Sequence, residues 1–145
     1  MLSKKAKYAL QALTFLAQHA DQDSTGIAEI AEQEKIPRKF LETILLELKN
    51  QGILISKRGK GGGYALRQDA EAISIGQVIR VIDGPLALTP CASRTAFKPC
   101  QECKKPDSCS IRLLMVKVRD ATAEILDHTT LRHIIDSQSA LLYMI

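Results

Sequence analysis

Apolar residues recur with a helical period over most of the chain, and strand-like runs occur at only one place. Tyr8, Ala9, Ala12, Leu13 and Leu16 fall on one face of a first helix. "DQDSTG" reads as a turn in which Ser24 and Thr25 can cap the next element, a short helix with Ile27, Ile30 and Ala31 on one side. Pro37 suits the first turn of a third helix, "PRKFLETILLELKNQG", which Gly52 ends. Its stripe is Leu41, Ile44, Leu45 and Leu48, while Arg38, Lys39, Glu42 and Thr43 face away. Ile53–Ile55 and Tyr64–Leu66 read as two short strands, with "KRGKGGG" as the hairpin tip. "ISIGQVIRVIDG" is a fourth helix capped by Ser74. Pro85 to about Ser108 has no usable period. "SIRLLMVKVRDATAEILDHTTLRHIID" then reads as one long helix with Ile111, Leu114, Val118, Ala121 and Ile125 in a stripe.

The length of 145 residues suits one domain with an appended element. Only 4% of residues are aromatic and none is Trp, so the core is built from Leu, Ile, Val and Ala, as packed helices allow. Lysines ahead of an apolar stretch imitate a signal peptide at "MLSKKAKYALQALTFLAQHA". Gln11 interrupts that stretch and no cleavage-like A-x-A falls where it should, so a mature first helix in a cytoplasmic protein is expected. No run approaches the roughly 20 apolar residues of a membrane span.

Three helices followed by a two-stranded hairpin is the order of a winged helix-turn-helix. A helix fits the DNA major groove, and the outward side chains of the third helix have the right chemistry. Arg38 and Lys39 can meet phosphate or guanine, Glu42 can accept from cytosine, and Thr43 can serve either edge. Lys57, Arg58 and Lys60 crowd the hairpin tip, where an arginine can enter a narrow minor groove. The net charge of +4 agrees with a polyanionic partner. Double-stranded DNA is therefore the expected ligand, against a bland reading as a solvated helix face and turn.

All four cysteines, Cys91, Cys100, Cys103 and Cys109, lie in the aperiodic segment, spaced C-x8-C-x2-C-x5-C. A loop of this length inside a small domain needs something to order it. Disulfides rarely persist in a reducing compartment. Four thiolates complete either a zinc or an iron–sulfur site, and spacing does not choose between them. Arg94, Lys98, Lys104 and Lys105 would offset thiolate charge in both cases. Free thiols or redox disulfides remain the third reading.

"MLSKKAKYALQAL", "KRGKGGGYAL", "ISIGQVIRVIDG" and the cysteine loop before a long helix together resemble the Rrf-two family of bacterial transcription regulators, which includes the IscR, NsrR and RirA types. The resemblance implies a mainly α fold with a small β-hairpin wing, and a homodimer in which each long C-terminal helix crosses its partner. Each winged helix would read half of a palindromic operator. Many members hold a [2Fe-2S] or [4Fe-4S] cluster through three cysteines of this loop, matched here by Cys91, Cys103 and Cys109. The IscR type has a histidine three residues after the last cysteine; Arg112 stands there instead and cannot ligate. Cys100 is extra and is the candidate replacement, with a ligand from elsewhere as the other possibility. His19, His128 and His133 lie on helical segments and read as surface or core residues.

The expected organisation is a DNA-binding domain over residues 1–84, a cluster-binding loop over 85–109, and a dimerisation helix with a C-terminal segment over 110–145. The expected function is a non-enzymatic, redox-sensing regulator whose operator binding is set by an iron–sulfur cluster, [2Fe-2S] favoured. The alternative keeps the DNA-binding fold with structural zinc or no metal and another effector. A redox enzyme fits least, since no other catalytic set is visible.

Overall fold

The computed structural model describes all 145 residues, as six α-helices and one antiparallel hairpin. Helix α1 (Lys4–Gln18) begins where the Ser3 hydroxyl accepts the Ala6 N–H at 3.0 Å. Ala6, Ala9 and Ala12 on its buried face lack bulk, so α1 can run through the centre of the fold against α2 (Ile27–Glu34), α3 (Arg38–Asn50), α4 (Ile75–Asp83) and α6 (Leu131–Tyr143). In α3 the stripe Leu41, Ile44, Leu45 and Leu48 is wholly buried, as the period predicts. Ser74 caps α4, its hydroxyl accepting the Gln77 N–H at 3.1 Å.

The turn before α2 behaves differently from its sequence reading. Gly26 is the N-cap and neither Ser24 nor Thr25 caps the helix. Both residues serve the wing instead. Ser24 donates its hydroxyl to Gly61 O at 2.9 Å, and buried Thr25 exchanges two 2.8 Å backbone bonds with Tyr64. A serine or threonine near a helix start serves whichever orphan backbone group lies closer. Pro37 likewise sits at the N-cap of α3, one residue ahead of its expected place in the first turn.

The hairpin pairs β1 (Leu54–Lys57) with β2 (Gly63–Leu66) in the register Leu54↔Leu66 to Lys57↔Gly63. A Cβ at Gly63 would overlap the Thr25 carbonyl, so glycine here lets the wing dock on the α1–α2 connection.

The expected single C-terminal helix is two. Helix α5 (Ser110–His128) ends at Thr129, and α6 turns back onto α1. Thr130 and His133 form a capping box, with His133 N–H donating to Thr130 Oγ1 at 3.4 Å and Thr130 N–H to His133 Nδ1 at 3.1 Å. Ile75 N–H reaches Thr129 O at 2.8 Å, and Leu131 N–H reaches Ile73 O at 3.1 Å. A straight helix would carry Leu131 and Ile135 into solvent. Turning back buries both, at about 1.5–3 kcal/mol for a fully buried side chain of this size.

Lys35, the C-cap of α2, is the only non-glycine residue with positive φ, at 54°. This left-handed residue lets the Ile36 N–H return to Ala31 O at 3.0 Å, and it sets the angle between α2 and α3. For an L-residue that conformation costs roughly 1–2 kcal/mol. Lys35→Gly is therefore expected to raise the urea midpoint, by about 1 kcal/mol of stability with an unchanged m-value; a lower midpoint would refute the strain.

Candidate nucleic-acid interface and cysteine site

Arg38, Lys39, Glu42 and Thr43 are all exposed, on the side of α3 opposite its buried stripe. Three of these side chains are already engaged locally. Arg38 Nε lies 3.5 Å from Glu42 Oε1, one helical turn on, and Thr43 Oγ1 donates to Lys39 O at 3.4 Å. An exposed pair of this kind contributes little and exchanges readily for phosphate or base. At the wing, Lys57 Nζ lies 3.5 Å from Asp23 Oδ1, whereas Arg58 and Lys60 carry no ion pair. Gly59 and Gly61 have positive φ, and the Gly62 N–H closes the tip on Gly59 O at 2.9 Å. Arg38, Lys39, Arg58 and Lys60 thus stand on two elements that share one moored framework.

The cysteine segment is ordered at one end by α5. A short 3-10 turn, Pro90–Ala92, buries Cys91 and Ala92. Arg112 Nε donates to Cys91 O at 2.8 Å, and Arg119 Nη1 donates to Ala92 O at 2.5 Å. The seven-residue interval puts both guanidinium groups on one face of α5. Arg112 also lies over the Phe97 ring at 5.5 Å, and Arg119 and Arg94 share Asp120 Oδ1 at 2.7 and 3.0 Å. Lys98 N–H returns to Pro90 O at 3.3 Å, which folds the segment back on itself.

The four sulfurs occupy different settings. Cys91 is buried, with Sγ 3.3 Å from the Thr89 hydroxyl. That hydroxyl, the Cys100 thiol and the Arg112 guanidinium hold the Cys91 thiol below its usual value, against the opposing effect of burial. The Cys91 contact in turn pushes the exposed Cys100 thiol up. The Cys103 N–H bonds to Cys100 O at 3.1 Å, making a tight C-x2-C turn. Cys109 caps α5, its Sγ accepting the Arg112 N–H at 3.5 Å. Nowhere do three metal-ligating side chains converge on one point. In chemistry, four thiols fit an iron–sulfur cluster or zinc, with Glu102 and Asp107 the carboxylates between them in sequence. In placement, Cys91 and Cys100 are neighbours and the set is not preassembled. His19, His128 and His133 bond to their own helical segments, as surface or core histidines would.

A family model described as an iron-dependent transcriptional regulator, Rrf2, matches residues 2–137. The chain belongs to the Rrf2 family. An rrf2-like HTH-type transcriptional regulator of Rhodobacter capsulatus is 42% identical over 134 residues, covering 90% of this chain and 89% of that one. IscR of Yersinia enterocolitica is 30% identical over 140 residues, covering 97% and 82%. Among solved structures, CymR, the global cysteine regulator of B. subtilis, superposes with a TM-score of 0.77 at 30% identity, covering 94% and 97%. IscR of T. potens gives a TM-score of 0.76 at 27%, covering 95% and 88%. Rrf2 proteins are DNA-binding transcription regulators, a non-enzymatic class, and the fold is their winged helix. No helix is long and apolar enough to cross a membrane.

Sequence reasoning treated Arg112 as a lost ligand and did not find what Arg112 and Arg119 hold. The seven-residue spacing of the two arginines was the available signal for their shared grip on the loop. It also missed the other end of α5. There Arg80 Nη1 and Nη2 donate to the two Asp127 carboxylate oxygens at 2.5 and 2.9 Å. A Cβ at Gly76 would overlap Asp127 Oδ1, so the carboxylate of the pair lies over α4 in the room that glycine leaves. Arg80 holds the Asp127 carboxyl below the usual carboxylate range. A depressed folded value means the pair stabilises above the unfolded pKa of about 3.9 and loses that contribution as pH falls through the folded value. Asp127→Asn is therefore expected to cost below about 1 kcal/mol at neutral pH, since both groups are partly exposed. The gap from wild type should close in urea melts below about pH 4.

Proposed function

We propose that this Rrf2-family regulator acts in the cytoplasm as a homodimer on a palindromic operator, with an iron–sulfur cluster held by Cys91, Cys100, Cys103 and Cys109 controlling its affinity. The observation that carries the reading is the fastening of Cys91 to α5 through Arg112, inside the segment that holds every cysteine. Cys91 is the fixed ligand. Cys100 and Cys103 sit on a separate tight turn, and Cys109 caps α5, so ligation would draw the turn towards the helix. The bound cluster would supply one-electron redox chemistry and a cross-link among the thiolates. With Arg112 in place of a histidine, the ligand set would be all thiolate and its potential would not follow an imidazole pKa.

The homodimer reading is supported by α5. Ile111, Leu114 and Ile125 are 67%, 55% and 67% exposed, a largely uncovered apolar stripe in which Val118 alone is half-buried. Packing of this stripe on a second copy would make α5 the spacer between two recognition helices, and half-site spacing near one helical turn would follow from its angle. Arg38, Lys39, Glu42 and Thr43 would enter the major groove, with Lys57, Arg58 and Lys60 on the flanking backbone or minor groove.

A second reading is structural zinc or no metal with another effector, since the same four thiols complete a zinc site as well as a cluster. Anaerobic purification separates the two. A brown protein with visible absorption and bound iron supports the cluster; a colourless protein that takes up zinc alone, even after reconstitution, supports the second reading. Cys103→Ala is expected to remain a folded dimer by sedimentation while its operator affinity differs from that of the iron-loaded wild type. Identical affinity under iron-replete anaerobic conditions would refute control through the loop.

A further inference from the structure

We propose that Lys35 is a phosphate contact of the DNA-bound regulator, a cation retained at a backbone position that glycine fits better. The inference rests on α3 being the DNA-reading element. Lys35 stands in the turn of the helix-turn-helix, alone among non-glycine residues in the left-handed region. Its side chain is exposed, and no carboxylate lies within ion-pair distance of it, although Glu32 and Glu34 are close in sequence. A strained residue persists where its surroundings over-determine it or its side chain has a task. Burial supplies no reason for a lysine rather than a glycine here, because the residue is exposed.

Position supplies one. Ile36 is buried and Pro37 is the α3 N-cap, so the backbone beyond Lys35 is fixed. Arg38 lies three positions after Lys35, which keeps their Cα atoms within roughly 11 Å. Lys35, Arg38 and Lys39 therefore form one cationic approach to the start of the recognition helix. Helix α2 itself carries Glu29, Glu32 and Glu34 and no basic residue. A phosphate strand passing this turn would meet net negative charge without Lys35. The competing role is local, since a lysine at a helix C-terminus also interacts favourably with the helix dipole. That role involves no DNA.

Salt dependence distinguishes the two, because each phosphate contact releases counterions. Binding of the purified full chain to a labelled random-sequence duplex, and to a duplex that the protein itself selects from a random library, is titrated across potassium chloride concentrations. Lys35→Gly and Lys35→Asn both tolerate the left-handed backbone and lack the charge. Each is expected to reduce the slope of log K against log salt by about 0.9 per bound protomer, equally on both duplexes. Lys35→Arg should keep the wild-type slope. Neutral variants that are folded by circular dichroism and retain the wild-type slope would overturn the inference while leaving α3 as the reading helix. A wild type showing no salt-dependent duplex binding would overturn the reading of α3 as well.

Discussion

Helix α5 has no fully buried residue within its own chain, and the placement of the cysteine segment depends on how such a helix is held. Its apolar stripe faces outward, so apart from partly buried Leu126 the hydrophobic effect does little to dock it on the domain that precedes it. Polar fastenings do most of that instead. Near its start, Arg112 and Arg119 donate to the Cys91 and Ala92 carbonyls; near its end, Asp127 receives Arg80 in a forked pair over Gly76. Directional bonds fix an angle more sharply than a smooth apolar contact, because a few degrees of rotation break them. A helix fastened in this way keeps its apolar face free for another surface.

The return of α6 completes that arrangement. Leu131 and Ile135 join the core beside α1, and the Thr129–Leu131 connection pairs with the backbone ahead of α4. The helix-turn-helix core is thus built from both ends of the sequence. Unfolding of α6 would expose apolar core surface and release the C-terminal end of α5 together. Stability of the DNA-binding unit and placement of α5 are in this sense one property.

Much of this was legible in the residue pattern, and the failures have physical causes. The stripe Leu41, Ile44, Leu45 and Leu48 found α3 because a single face is buried along its whole length. The end of α5 was missed because Leu131, Ile134 and Ile135 resume a helical spacing directly beyond the break, and periodicity does not report direction. Thr129 and Thr130 were the only local signal, and their meaning depends on His133 three residues later. Ser24 and Thr25 misled for the converse reason: their partners, Gly61 and Tyr64, are distant in sequence. The cysteines were found by composition alone, whereas the arginine grip on their carbonyls depends on a fold that no short motif encodes. The exposed polar face of α3 was legible because outward polarity opposite a buried stripe is visible in one dimension.

The uneven holding of the cysteine segment decides what it can transmit. Its first part is tied to α5 at two carbonyls, while Cys100 and Cys103 sit on a turn bonded chiefly to itself. A ligand that gathered the sulfurs would therefore move the turn and leave Cys91 in place. Force applied at Cys109 would act on the first residue before α5, and Arg112 lies one turn further on with its N–H on that sulfur. Any rotation of this first turn is felt by the Arg112 and Arg119 bonds, whose acceptors belong to the other arm of the same loop. The segment and the helix form a closed ring of contacts, so the loop cannot contract without either tilting α5 or breaking a charged hydrogen bond. Tilting in turn loads the Arg80–Asp127 pair at the far end of α5, since those bonds fix its angle as the two arginine bonds near Cys91 do.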